Sequence, residues 1–142
     1  MGHGFRVDGN ATWIPTAEFG EERPGEALKD NRLPYSPELT ANLSLGYQTG
    51  RLQTALVFNY VGEAYGDGMN VKELTTEETG TWGGRVPSYY TVDLTARYAF
   101  ASQFSVFGAV KNLTDEEYIA GLRQGIYVGP ERSFEFGAKY TF

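Results

Sequence analysis

The chain has 142 residues, room for one ordinary domain, and no cysteine, which excludes a disulfide framework and thiolate metal centres. Its 12 Lys and Arg against 18 Asp and Glu leave a net charge of -6, which argues against a nucleic-acid backbone as the main partner. A single histidine, His3, cannot build an acid–base centre, and no apolar run is long enough for a transmembrane helix.

Mean hydropathy is -0.38, but a membrane β-barrel places apolar residues only at every second position, so a low average does not exclude one. The opening MGHGFRVDGN has no apolar core of a signal peptide, so any export signal is expected to lie outside this chain. The first strand is expected over Phe5–Trp13, where Phe5, Val7, Gly9, Ala11 and Trp13 oppose Arg6, Asp8, Asn10 and Thr12. A long loop, Pro15 to Pro37, carries GEERPGEALKDNRLP. The second strand, Leu39–Gln48, sets Leu39, Ala41, Leu43, Leu45 and Tyr47 against Thr40, Asn42, Ser44, Gly46 and Gln48. A tight Thr49-Gly50-Arg51 turn leads into the third, Leu52–Glu63, with Leu52, Thr54, Leu56, Phe58 and Tyr60 on one parity.

A second long loop runs from Ala64 to Ser88. In the stretch GEAYGDGMNVKELTTEETG, Glu63, Asp67, Glu73, Glu77 and Glu78 lack the spacing of a calcium-binding loop and read as a solvated acidic stretch. The fourth strand is Tyr90–Phe100, and a tight Ala101-Ser102-Gln103 turn follows. The fifth, Phe104–Asn112, is mixed, because Phe107 competes with Phe104, Val106 and Val110 for the apolar face. Asn112-Leu113-Thr114 reads as turn chemistry at the strand exit. A third long loop, Thr114 to Glu131, precedes the last strand, Ser133–Phe142.

Six strands of about ten residues have the length a tilted strand needs to cross a bilayer. Two tight turns alternate with three long loops, the asymmetry of outer-membrane barrels. Tyr and Trp near the strand ends suit two interfacial girdles. The predicted fold class is therefore all-β: an antiparallel up-and-down transmembrane β-barrel segment of about six strands, part of a larger barrel. Single-chain bacterial barrels start at eight strands, and an open edge cannot face lipid. The alternatives are a small barrel closed by self-association and a soluble β-sandwich binding module. Asp93, Arg97, Glu135 and Lys139 share the polar parity and are expected to pair across strands. There is no nucleophile–histidine constellation and no phosphate loop, so no catalytic residue, cofactor or metal is assigned.

The tail VKNLTDEEYIAGLRQGIYVGPERSFEFGAKYTF resembles the carboxy-terminal end of TonB-dependent outer-membrane receptors. The resemblance is carried by Lys111-Asn112-Leu113-Thr114-Asp115 with Tyr118, by Gly129-Pro130-Glu131-Arg132, and by the alternating strand to Phe142. RLPYSPELTANLSLGY, YVGEAYGD and VPSYYTVDLTARYAF stand upstream in matching order. It implies residues 1–142 of a 22-stranded barrel's carboxy-terminal portion, with the plug and upstream strands absent. It also implies a bacterial outer-membrane location and an importer of ferric chelates, with ferric citrate the specific branch expected. The implied partners are outer-membrane lipid, the remaining strands and plug, TonB through that plug, the β-barrel assembly machinery and the chelate. Tyr140 and Phe142 match the assembly signal. For an anionic chelate, Arg85, Arg123 and Arg132, with Gln124, Tyr65 and Tyr127, are the candidate ligand contacts, because the guanidinium fork suits carboxylate oxygens. The competing expectation pairs these arginines with loop carboxylates. The segment alone is expected to transport nothing.

Overall fold

The computed structural model describes residues 3–22, 24, 28–76 and 82–142; Glu77 and Glu78 of the acidic stretch lie outside these. Twelve strands follow one another among the described residues: β1 (His3–Trp13), β2 (Leu39–Thr49), β3 (Leu52–Val61), β4 (Ala64–Tyr65), β5 (Thr75–Thr76), β6 (Trp82–Gly83), β7 (Arg85–Val86), β8 (Tyr89–Ala99), β9 (Phe104–Lys111), β10 (Ile119–Leu122), β11 (Ile126–Val128) and β12 (Ser133–Tyr140). The six long ones form one antiparallel sheet in the order β1-β2-β3-β8-β9-β12. They are the six strands expected from parity, with ends shifted by one to two residues. The short ones pair as β4–β7, β5–β6 and β10–β11 inside the long loops, where the sequence predicts only loop.

Register explains why the alternation matters. Val7, Leu45, Leu56, Leu94, Val110 and Phe134 stand opposite one another and make one apolar row across all six strands. The neighbouring row is Phe5, Tyr47, Thr54, Ala96, Gly108 and Phe136. A slip of one residue in any pair would move a whole strand's apolar set to the other face. The eleven residues of β1 span about 36 Å at 3.3 Å each, and about 25 Å when tilted near 45°, the height of a barrel's apolar band.

No second sheet covers this face among the described residues, so the β-sandwich alternative falls. Phe136 is 90% exposed and Phe5 85%. The buried apolar side chains among the described residues are Leu28, Ala64, Val86 and Leu122, all in the long loops and none in the six-stranded sheet. The molecule's small core thus lies in its loops, and its sheet presents a greasy face outward.

The opposite face is polar. Asn42 Nδ2 donates to Asn59 Oδ1 at 2.5 Å, and Asn59 Nδ2 to Thr91 Oγ1 at 3.3 Å, a hydrogen-bonded ladder over three strands. Phe107 belongs to this face: it stands opposite Gly137, and a Cβ there would meet the Phe107 ring at 2.5 Å. The ring covers bare backbone on β12, which resolves the mixed pattern of β9.

The expected charge pairing needs correction. Asp93 pairs with Lys111 at 3.8 Å and accepts the Asn112 N–H at 2.9 Å, while Arg97 donates to the Ser105 hydroxyl at 3.1 Å. Glu135 and Lys139 make no ion pair among the described residues, because the register sets them opposite Ala109 and Ser105.

Tight turns and long loops lie at opposite ends of the sheet. The β2–β3 turn has Gly50 at φ 52°, and the β8–β9 turn is closed by Ala101 and Phe104, each donating its N–H to the other's carbonyl. His3 and Tyr140 lie at this same end, opposite Thr49 and Phe104. β1 and β12 are the two edges of the sheet and do not pair with each other.

Candidate functional site

All three long loops leave the same end of the sheet, and side chain-to-backbone bonds tie them into one cap. Within the first loop, the Arg32 guanidinium donates to the carbonyls of Ile14 at 2.6 Å and Ser36 at 2.7 Å, closing the loop on its own base. Loops one and two are joined by a reciprocal pair: the Arg32 N–H donates to Asn70 Oδ1 at 2.6 Å, and Asn70 Nδ2 to the Arg32 carbonyl at 2.8 Å. Asn31 Nδ2 adds a bond to the Gly68 carbonyl at 2.9 Å. Asn70 has φ 55°, a left-handed conformation that asparagine tolerates better than most residues.

Tyr35 bridges to the third loop. Its hydroxyl accepts the Leu122 N–H at 2.9 Å and donates to the Leu122 carbonyl. The Leu122 side chain is buried against Gly66 of the second loop. Asp67 gives the second loop its shape: Oδ2 accepts the Gly84 N–H at 2.5 Å and Oδ1 the Met69 N–H at 2.8 Å. Gly84 has φ 118°, and a Cβ there would meet the Glu73 carbonyl oxygen at 2.4 Å, so only glycine fits.

The third loop is organised by Asn112. Its Nδ2 donates to the carbonyls of Glu116 at 2.9 Å and Pro130 at 3.1 Å, and its Oδ1 accepts the Glu116 N–H at 2.9 Å. This is the turn chemistry expected at the strand exit. It also fastens the two ends of the loop together.

The six candidate contact residues fall into distinct settings. Tyr65 and Arg85 stand opposite each other in β4–β7, and the Tyr65 carbonyl accepts the Tyr35 N–H at 2.8 Å. Arg85 Nη1 lies 3.5 Å from Glu63 Oε2, a pair in which both side chains are about half exposed. Such a pair is worth at most about 1 kcal/mol, so a ligand anion could exchange for the glutamate. Arg132 is more firmly held. Its Nη2 is 3.1 Å from Asp115 Oδ2, and its N–H donates to the other oxygen of the same carboxylate at 3.0 Å.

Arg123, Gln124 and Tyr127 lie together on the exposed β10–β11 hairpin. The Arg123 guanidinium faces no carboxylate within ion-pair distance among the described residues, while its carbonyl accepts the Trp82 N–H and links the hairpin to the second loop. Beside the hairpin, the rings of Tyr89 and Tyr118 stack at 4.0 Å over a cleft of about 350 Å³ that also takes Glu116 and Glu117. Those glutamates give the cleft the wrong sign for an anion, so the cationic hairpin is the better anion contact. Sequence reasoning missed Arg32, Tyr35 and Asn70 as organisers of the cap. An Asn-Arg-Leu-Pro stretch signals a turn but not its partner 38 residues away.

At the sheet's other end, the Tyr140 and Phe142 rings meet edge to face at 5.1 Å, and Phe142 is fully exposed.

Residues 2–113 match the family model described as TonB dependent receptor-like, β-barrel. Among solved structures, the siderophore receptor PiuA from Acinetobacter baumannii is similar with a TM-score of 0.75 and 21% identity, covering 96% of this chain and 19% of its own. The ferric yersiniabactin uptake receptor FyuA from Yersinia pestis gives 0.75 and 22%, covering 98% and 21%. The ferric citrate transporter FecA, unliganded, gives 0.70 and 23%, covering 86% and 19%. The chain spans about a fifth of the length of these structures.

Proposed function

Because this chain belongs to the TonB dependent receptor-like β-barrel family, we propose that it forms six consecutive strands of an outer-membrane receptor importing a ferric chelate by TonB-dependent transport. The observation that carries the reading is the inversion of polarity: apolar rows in register on an uncovered sheet face, with the buried apolar residues in the loops. Bilayer hydrocarbon is the surrounding that suits such a face. The short turns then lie on the periplasmic side and the tied loops outside the cell.

β1 and β12 take their missing neighbours from further strands of the barrel, whose lumen holds the plug through which TonB acts. Tyr140 and Phe142 present the signal to the assembly machinery. The transported species is an anionic iron chelate of the siderophore or ferric-citrate kind. It meets the exposed Arg123, with Gln124 and Tyr127 beside it on the hairpin. Arg85 and Tyr65 are a second contact point that opens when the chelate displaces Glu63. Arg132 serves the loop base.

The test is uptake of radiolabelled ferric citrate and of ferric siderophores by iron-starved cells carrying the protein with the rest of its receptor. Arg123→Ala is expected to raise the half-saturating concentration about tenfold, the loss of one charge-assisted contact of about 1.5 kcal/mol. Unchanged uptake in Arg123→Ala would remove the hairpin from the ligand site. No chelate-dependent uptake by the wild-type protein would remove the transport reading.

A further inference from the structure

The apolar face is not uniformly filled. Where the Ala96, Gly108 and Phe136 positions of one row meet, two grooves of about 680 and 320 Å³ share those three residues and run together along the strands. The larger is walled by Leu52 and Tyr98 toward the tight-turn end, with Ala138 beside them; the smaller continues to Leu94. From Tyr98 to Leu94 is four residues along β8, about 13 Å.

Gly108 forms the floor, and nothing in the protein requires a glycine there. It is not among the residues of positive φ, and a Cβ would touch only the Glu135 carbonyl oxygen at 3.6 Å, an ordinary contact. Gly137 differs, because Phe107 fills the space above it. A glycine in a strand interior weakens the strand and marks a place where something else approaches. At Gly108 the open side is the one that faces lipid.

One residue before the groove's Leu52, at the tight-turn end, stands a cation. Arg51, in the β2–β3 turn beside Leu52, donates from Nη1 to the Phe100 carbonyl at 2.7 Å. The rest of its guanidinium fork engages no described residue. Phe100, whose carbonyl holds the guanidinium, has its ring 4.8 Å from Tyr98 and 5.7 Å from Phe104, an aromatic cluster of the kind that suits a membrane–water boundary.

We propose that this groove seats one acyl chain of an anionic phospholipid of the periplasmic leaflet, with the Arg51 guanidinium holding its phosphate. A groove along the strand axis suits a chain running across the leaflet. A cation at the turn end suits an anionic headgroup at the same depth. The assignment rests on the membrane location proposed above and adds a specific lipid site to it.

The protein, extracted from its membrane in mild detergent and stripped of lipid, is titrated with phosphatidylglycerol and separately with phosphatidylethanolamine, and bound lipid is counted by native mass spectrometry. Phosphatidylglycerol is expected to bind at one site, about fivefold tighter than phosphatidylethanolamine, and Arg51→Gln to erase that preference. Gly108→Leu fills the floor with a side chain that a lipid-facing position tolerates, and is expected to weaken binding of both lipids about tenfold. Ala96→Leu is expected to do the same, and Leu56→Ala, on the same face away from the groove, to change nothing. Wild-type binding in both Gly108→Leu and Ala96→Leu overturns the proposal, as does a headgroup preference that survives Arg51→Gln. Cell fractionation separates the two levels of inference. Absence from the outer membrane defeats the membrane reading, whereas correct fractionation with unaltered lipid binding in the variants defeats this site alone.

Discussion

Asn112 combines two demands in one side chain. It sits at φ 50°, and both ends of its amide bond to loop backbone at Glu116 and Pro130 while the residue is 4% exposed. Alanine would meet neither demand; glycine would meet the first. Asn112→Ala is expected to lower stability by about 2–4 kcal/mol, and Asn112→Gly by about 1 kcal/mol less, because the left-handed strain is relieved while the orphaned loop groups remain. Urea unfolding of the protein in lipid vesicles reads both values, and equal losses would remove the backbone part of this account. Asn112 was legible in the sequence as a turn former. Phe107 was not legible, because its place is decided by Gly137, thirty residues further on, across a strand pair whose register no local pattern encodes. Tyr35 was hidden for a similar reason: its φ of 53° and its bonds to Leu122 depend on a partner 87 residues away.

At the scale of the strand, parity carries the information and loop length sets the topology. The six long strands were legible because every second side chain had to suit a different solvent, a constraint that reaches each residue separately. The short pairs β4–β7, β5–β6 and β10–β11 were not, because two to four residues are too few to show a period and the side chains that tie the cap bond to backbone groups that any residue carries. Of the candidate contacts, the sequence could name arginines on loops but not sort them. Only the fold separates Arg132, anchored on Asp115, from Arg123, exposed on its hairpin. The alternation makes a sharp prediction for two adjacent residues of β3. Leu56→Arg places a cation in the middle apolar row and is expected to cost about 2–4 kcal/mol in a bilayer, whereas Val57→Arg, on the polar face, is expected to cost under about 1 kcal/mol. Equal costs in the same vesicle unfolding experiment would mean that the two faces do not meet different solvents.

Taken whole, the sheet is ordered by its surroundings and the cap by itself. Strand pairing fixes which rows line up, but among the described residues only the loops contain apolar side chains closed off by protein, Leu28, Val86 and Leu122 among them. The two sheet edges ask for neighbours and the outward face asks only for hydrocarbon. These needs place different demands on sequence, and they separate what can drift from what cannot.

One consequence concerns tolerance to substitution. In a water-soluble protein the large apolar residues resist exchange and the exposed ones drift. Here the order is expected to invert: a saturation scan selected for surface display should find Val7, Leu45 and Leu94 freely interchangeable among aliphatic residues, while Leu122→Ala, at a site 3% exposed, loses about 2–5 kcal/mol. Lineages carrying this segment would then keep their grease by composition alone, and their letter-by-letter fidelity would be confined to the tied loops.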